Sequence, residues 1–303
     1  MARCHAQCFH SEVMTINVSR EKLLFYVAAG ALGGLGAWGA AEPFLGIHSV
    51  YPRDLLLGAI VGLFIAAFLA SIEALSVGQW RQALRGAQFG IAIGAIGGAA
   101  GLLVGELTFD VLPGLVGRIL GWAVLGLLVG LGVGWATRST ARRRNGAVGG
   151  MLGGAIGGLC YQAVTSAFPQ AFGRAIAIII LGALIGFFIG LVGELLKRGW
   201  LMVVRSQSRN AREGYEYPLI KTVTTIGRAE ESDIGLFGDP AIRAQHAILR
   251  HEGKNFFLSP TSGGQVTVNR QPVSGRCALK SGDRVEIGGT LFLFRERTSQ
   301  ASS

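Results

Sequence analysis

The chain has 303 residues, a net charge of +10 and a mean hydropathy of +0.46. Half of its residues are apolar and only 15% are charged, against about 25% charged in an ordinary soluble domain, which excludes a wholly soluble globule. The basic balance does not point to nucleic acid, because half of the 28 basic residues precede residue 199, mostly in short stretches between apolar runs, while the rest of the chain mixes 14 basic with 10 acidic residues.

Residues 1–22 read as an N-terminal cytoplasmic tail. Cys4 and Cys8 stand there beside His5 and His10, but four ligands packed so closely match no standard zinc spacing, and no metal or other cofactor is expected. Met14 opens a cleaner sequence directly before the first apolar run and is an alternative start. Cys160 and Cys277 lie far apart in an apolar run and a strand-like region, so no disulfide framework is read.

Residues 23–198 read as a six-span, glycine-rich membrane domain. Crossing the hydrocarbon core takes about 20 apolar residues in a helix. Six runs come close: Leu23 to Ala41, Leu55 to Ile72, Phe89 to Gly105, Ile119 to Ala136, Ala147 to Ala167 and Ala175 to Leu196. Their lack of polar–apolar alternation argues against a barrel.

The runs pair into three tandem helical hairpins. The first helix of each pair carries a glycine motif, at Gly30 to Gly34, Gly94 to Gly98 and Gly154 to Gly158. The second follows an arginine (Arg53, Arg118, Arg174) and carries a four-residue glycine step: Gly58/Gly62, Gly126/Gly130 and Gly182/Gly186. Lipid is as apolar as leucine, so helices meet in it by close packing. Gly94, Gly98, Gly126, Gly130, Gly154, Gly158, Gly182 and Gly186 are therefore expected to be helix-packing residues. Packing within one bundle is one use of these stripes, and self-association into a homo-oligomer is the other. Eleven basic residues flank one side of the spans and three the other, which places both termini in the cytoplasm of a multi-pass inner-membrane protein.

Few ionisable groups fall in the spans. Glu42, Glu106 and Gln162 occupy corresponding places, and the other acids lie at span ends, which favours interfacial roles over a solute path.

Residues 199–297 change character, and 298–303 form a short tail. Candidate strands are Leu201 to Arg205, Lys221 to Ile226, Ala247 to His251, Asn255 to Leu258, Val266 to Val268, Val285 to Ile287 and Thr290 to Arg295, broken by Gly, Pro, Asn and Asp. That spacing predicts an all-β sandwich.

The order of motifs then resembles a forkhead-associated (FHA) domain. Thr225-Ile226-Gly227-Arg228 looks like the family's Gly-Arg turn, His246 to Ile248 like its histidine strand, and Val268-Asn269 like its later Val-Asn turn. Leu279, Gly282-Asp283, Ile287-Gly288 and Phe292 to Phe294 match the closing hairpin. FHA domains bind phosphothreonine peptides through loops at one end of the sandwich. The resemblance implies that Arg228, Arg243 and Ser262 bind the phosphopeptide, while Gly227, His246 and Asn269 support the loops. This sequence departs from the family at two places. The serine three residues before the histidine is Arg243, a candidate replacement contact or else a solvated charge, and the peptide-gripping asparagine falls at Gly264.

No nucleophile–base pair, phosphate loop or metal cluster is present, so an enzyme is not expected. The reading is a membrane-anchored adaptor whose partners are the lipid bilayer and a cytoplasmic protein carrying phosphothreonine. The alternatives are a small transporter or channel regulated by the β-domain, and a structural membrane assembly protein.

Overall fold

The computed structural model describes residues 20–111, 115–136, 140–253 and 255–297; the Cys4–His10 group and Met14 lie outside the described residues. Six helices come first: α1 (Arg20–Ala41), α2 (Val50–Ser76), α3 (Trp80–Val111), α4 (Leu115–Ala136), α5 (Thr140–Ala167) and α6 (Gln170–Leu195). All six are long and apolar enough to cross a membrane. A short 3-10 turn, Glu42–Phe44, follows α1.

The helices outrun the apolar runs and take in flanking cations: Arg81 and Arg85 open α3, and Arg142, Arg143 and Arg144 open α5. The sequence alone leaves these arginines between the apolar runs, outside the expected spans. Nothing in those segments breaks a helix, and long basic side chains can lie along apolar surface while their heads reach water. The prolines sit where helices tolerate them, Pro52 in the first turn of α2 and Pro169 capping α6.

Each helix packs on its chain neighbours, and α6 closes back on α1, so the six form a ring. The even-numbered helices also touch one another and fill the centre. Ile65 and Leu69 from α2, Leu125 and Val129 from α4, and Leu181 and Ile185 from α6 meet there, each at most 1% exposed. The odd-numbered helices wedge between them, and glycine permits this on two faces. A Cβ at Gly94 or Gly98 of α3 would run into the carbonyl oxygens of Gly62 and Gly58 in α2. On its other side, a Cβ at Gly97 or Gly101 would strike Leu128 and Leu125 of α4. Around the ring, Gly150 and Gly154 of α5 approach Gly126 and Trp122 of α4, and Gly30 approaches Gly182. Thus α3 meets α2, α5 meets α4 and α1 meets α6 at glycines on both helices. Polar side chains add two further links: Arg118 of α4 bonds Gln162 of α5 at 2.6 Å, and Arg174 of α6 bonds Glu42, just beyond α1, at 2.6 Å.

The second unit is a β-sandwich. Its strands are β1 (Gly199–Arg205), β2 (Glu216–Pro218), β3 (Val223–Gly227), β4 (Ile234–Gly235), β5 (Ala247–Glu252), β6 (Asn255–Pro260), β7 (Val266–Val268), β8 (Gln271–Pro272), β9 (Cys277–Leu279), β10 (Arg284–Ile287) and β11 (Thr290–Glu296). One sheet runs β2-β1-β11-β10-β7-β8 and the other β4-β3-β5-β6-β9. All pairs are antiparallel except β3 with β4. Alternation aims one face of each strand inward: Thr290, Phe292 and Phe294 of β11 are fully buried, and Phe294 meets Phe256 of the opposite sheet at 5.2 Å between ring centroids.

Only Leu196, Lys197 and Arg198 join α6 to β1. Lys197 is 6% exposed and bonds Glu194 at 2.6 Å and Glu216 at 2.7 Å, tying helix end to sheet. The turn between α2 and α3 provides a second join. Val77 is buried within the β-domain's apolar core, and Asn210 donates to its carbonyl oxygen at 3.3 Å. Tyr215 and Tyr217 meet edge to face at this junction, with ring centroids 4.8 Å apart. Burial, then the charge of Glu73, pushes the Tyr215 phenol up to about 12. Burial also raises Tyr217.

Candidate recognition site

The end of the sandwich that carries Arg228 is built from three loops: residues 228–233 between β3 and β4, 236–246 between β4 and β5, and 261–265 between β6 and β7. Backbone hydrogen bonds hold the first two together. The Arg228 N–H donates to the Arg243 carbonyl at 2.9 Å, and the Ala229 N–H to the Ala244 carbonyl at 3.1 Å. Gly227 makes that approach possible, since a Cβ there would collide with the Ala244 carbonyl. Arg228 and Arg243 both carry exposed side chains.

His246 is 1% exposed and pins the second and third of these loops from beneath. Its Nδ1 accepts the Arg243 N–H at 3.2 Å, which leaves Nε2 as the protonated nitrogen, and Nε2 donates to the Gln265 carbonyl at 2.9 Å. The His246 carbonyl receives the Thr261 N–H at 3.0 Å. One buried imidazole therefore fixes the backbone on which Arg243 and Ser262 stand.

The Arg243 guanidinium folds across Gly263, where a Cβ would lie 2.6 Å from Cζ. Gly263 has φ +78°, a conformation that suits glycine. Arg243 is thereby laid beside Ser262, whose side chain is exposed. Gly264 is equally constrained, because a Cβ there would run into the His246 carbonyl. The backbone path itself excludes an asparagine at this place.

Asn269 lies elsewhere. It occupies the β7–β8 turn at φ +54°, donates to Asp283 at 2.8 Å, and accepts the Arg284 N–H at 2.9 Å. It braces one turn against another rather than contacting the β3–β4 loop.

Sequence reading did not single out the contacts that tie this end of the sandwich to the helices. Glu230, two residues beyond Arg228, accepts the Arg81 backbone N–H at 3.0 Å and pairs with its guanidinium at 3.2 Å. Gln82 donates to the Glu230 carbonyl at 2.6 Å and to the Ser232 carbonyl at 3.2 Å; Gln79 reaches the latter at 3.3 Å. The partners stand some 150 positions apart, and no local pattern signals such a pairing.

The family pattern described as FHA domain matches residues 224–288. The C-terminal unit is an FHA domain. A curated relative, the oxoglutarate dehydrogenase inhibitor of Corynebacterium diphtheriae, is 35% identical over 99 residues, which are 32% of this chain and 65% of that protein. The chain thus spans a little under two thirds of the relative's length. Among solved structures, the FHA domain of the CT664 protein from Chlamydia trachomatis is 24% identical; the match covers 33% of this chain and 99% of that one, with a TM-score of 0.29. The FhaA FHA domain, complexed with the intracellular domain of Rv3910, is 23% identical over 32% of this chain and 99% of that one, with a TM-score of 0.28.

Proposed function

We propose that the chain is a membrane-anchored adaptor whose FHA domain recruits a threonine-phosphorylated protein. The observation that carries this reading is the convergence of Arg228, Arg243 and Ser262 on three loops, two braced by one buried histidine and the third bonded to them through the backbone. Two exposed guanidinium groups at the rim supply planar, paired donors, the geometry that meets phosphate oxygens best. Arg243 takes over the contact that a serine makes in the family, and Gly227, His246 and Asn269 keep the loops and turns in shape. The name of the curated relative describes an inhibitor of oxoglutarate dehydrogenase, and a regulatory role through binding is assigned here.

The helices serve as the anchor. In this reading they are three hairpin repeats packed in a ring through glycine stripes, 23–198 is the membrane domain and 199–297 the recognition domain. The tightly filled centre of the ring favours an anchor over a channel. Both termini lie in the cytoplasm, in keeping with the excess of basic residues at that end. Reporter fusions after residues 110 and 140 should report opposite sides of the membrane; the same compartment for both ends this topology.

The functional test is capture of partners from lysate by the full chain in detergent, before and after phosphatase treatment of the lysate. A partner retained only before treatment is expected. Capture that ignores the phosphatase removes the phosphothreonine assignment.

A further inference from the structure

A cleft of about 640 Å³ opens where α5 begins and α6 ends against the β-domain. Its walls are basic. Arg144 lines it from the first turns of α5, Arg198 from the link behind α6, and Lys221 from the β-domain. Lys221 is paired with Asp233, which also lines the cleft, at 2.5 Å. No ion pair is found for Arg144 or Arg198 among the described residues, and both side chains are exposed. Burial, then the charge of Arg198, pushes His251 in the same wall below its ordinary value.

A second observation points to a ligand. Asn145 lines the cleft and is 5% exposed, yet its carboxamide oxygen is buried with no hydrogen-bond partner among the described residues. A buried acceptor left unpaired costs about 1–3 kcal/mol, so the site wants a donor there as well as an anion.

The surroundings define the rest of that ligand. Residues four apart stack along one side of a helix. Beyond Arg144 on α5 come Val148, Leu152 and Ile156, all large, apolar and exposed, at 41%, 40% and 38%. Leu196, 50% exposed, stands at the mouth of the cleft. Cations and an acceptor at one level, with an apolar ladder leading away from them, match an amphiphile with a charged head.

We propose that this cleft holds the headgroup of an anionic glycerophospholipid that bears a free hydroxyl. Arg144 and Arg198 take the phosphate, Asn145 accepts the hydroxyl, and an acyl chain lies along Val148, Leu152 and Ile156. Basic pockets at the cytoplasmic ends of transmembrane helices are suited to such headgroups. The assignment rests on the reading of the six helices as membrane spans.

The test uses the full chain purified in detergent. Phosphatidylglycerol, phosphatidylcholine of the same chain length and soluble glycerol phosphate are added separately, then in competition. Retention is read by native mass spectrometry, and stabilisation by the thermal midpoint. Phosphatidylglycerol should be retained in preference to phosphatidylcholine, and glycerol phosphate at matched concentration should not displace it. Arg144→Gln combined with Arg198→Gln should reduce retention on the order of tenfold or more. Arg205→Gln, exposed at the far end of β1, should leave it unchanged. Without lipid, the double variant should melt with the wild type; if it does not, the two single variants decide by the same readout. Equal retention of both lipids, or retention indifferent to the arginines, overturns the proposal. Displacement by glycerol phosphate makes the cleft a free-phosphate site and also overturns the lipid assignment. A chain that stays soluble without detergent defeats the membrane reading itself, whereas one that needs detergent but retains no lipid defeats only the cleft.

Discussion

Arg228→Ala is expected to weaken the binding of a phosphothreonine peptide by roughly ten- to a hundredfold. A hydrogen bond to a charged group contributes about 1.5–3 kcal/mol, and about 1.4 kcal/mol is a factor of ten in affinity. The fold should survive the change, because the structural contact of this residue is its backbone N–H, bonded to the Arg243 carbonyl, while its side chain is exposed. Arg243→Ala tests the departure from the family. Its guanidinium covers Gly263 and stands beside Ser262, so its loss should reduce affinity for the phosphorylated peptide and leave the unphosphorylated form unaffected. Both variants are read by titration of the full chain against paired phosphorylated and unphosphorylated peptides. Wild-type affinity in Arg228→Ala would sink the assignment of the phosphate contact. A loss in Arg243→Ala that is equal for both peptides would make that residue a general surface contact instead.

The order of six helices followed by a sandwich was legible in the sequence because each long element repeats one signal many times. Uniform apolar runs bounded by charges mark α1 to α6, and alternation marks β5 and β11. The strands that were not legible are β2, β4, β8 and β9, at two or three residues each. Apart from β7, whose Val-Thr-Val alternates within three residues, a segment that short displays no period, and its pairing is set by neighbours already in place. Ile234–Gly235 is a strand because β3 lies alongside it in parallel, in the register Ile226 to Ile234. The glycine motifs announced close packing but not its partners. That Gly94 meets Gly62 rather than the other helix of its own hairpin follows only from the closed ring. At the recognition site, the motif order indicates Arg228 and His246. The placement of Arg243 depends on the positive φ of Gly263, and the docking of Glu230 and Ser232 on Gln79, Arg81 and Gln82 depends on the whole assembly.

Leucine at Gly154 should disrupt the helix bundle, and leucine at Gly94 should do similar harm at the corresponding place. A Cβ at position 154 would run into the Trp122 carbonyl of α4, and one at position 94 into the Gly62 carbonyl and the Ala66 side chain of α2. Where the obstacle is backbone, no rotamer change relieves the clash, and the two helices must separate along their length. Overpacking costs about 1–3 kcal/mol even where side chains can yield, and here the separation also forfeits the close contacts that replace a hydrophobic drive in lipid. The expected result is a sharp fall in yield and in thermal midpoint in detergent for both variants. Gly39→Leu supplies the control, since Gly39 lies on α1 and a Cβ there would have no neighbour within 4 Å. It carries the same added bulk and the same change in helix propensity, so a fall shared by all three would come from the substitution type and not from the interface. If Gly154→Leu and Gly94→Leu both match the wild type, these faces do not meet their neighbours, and the ring of helices is wrongly assembled.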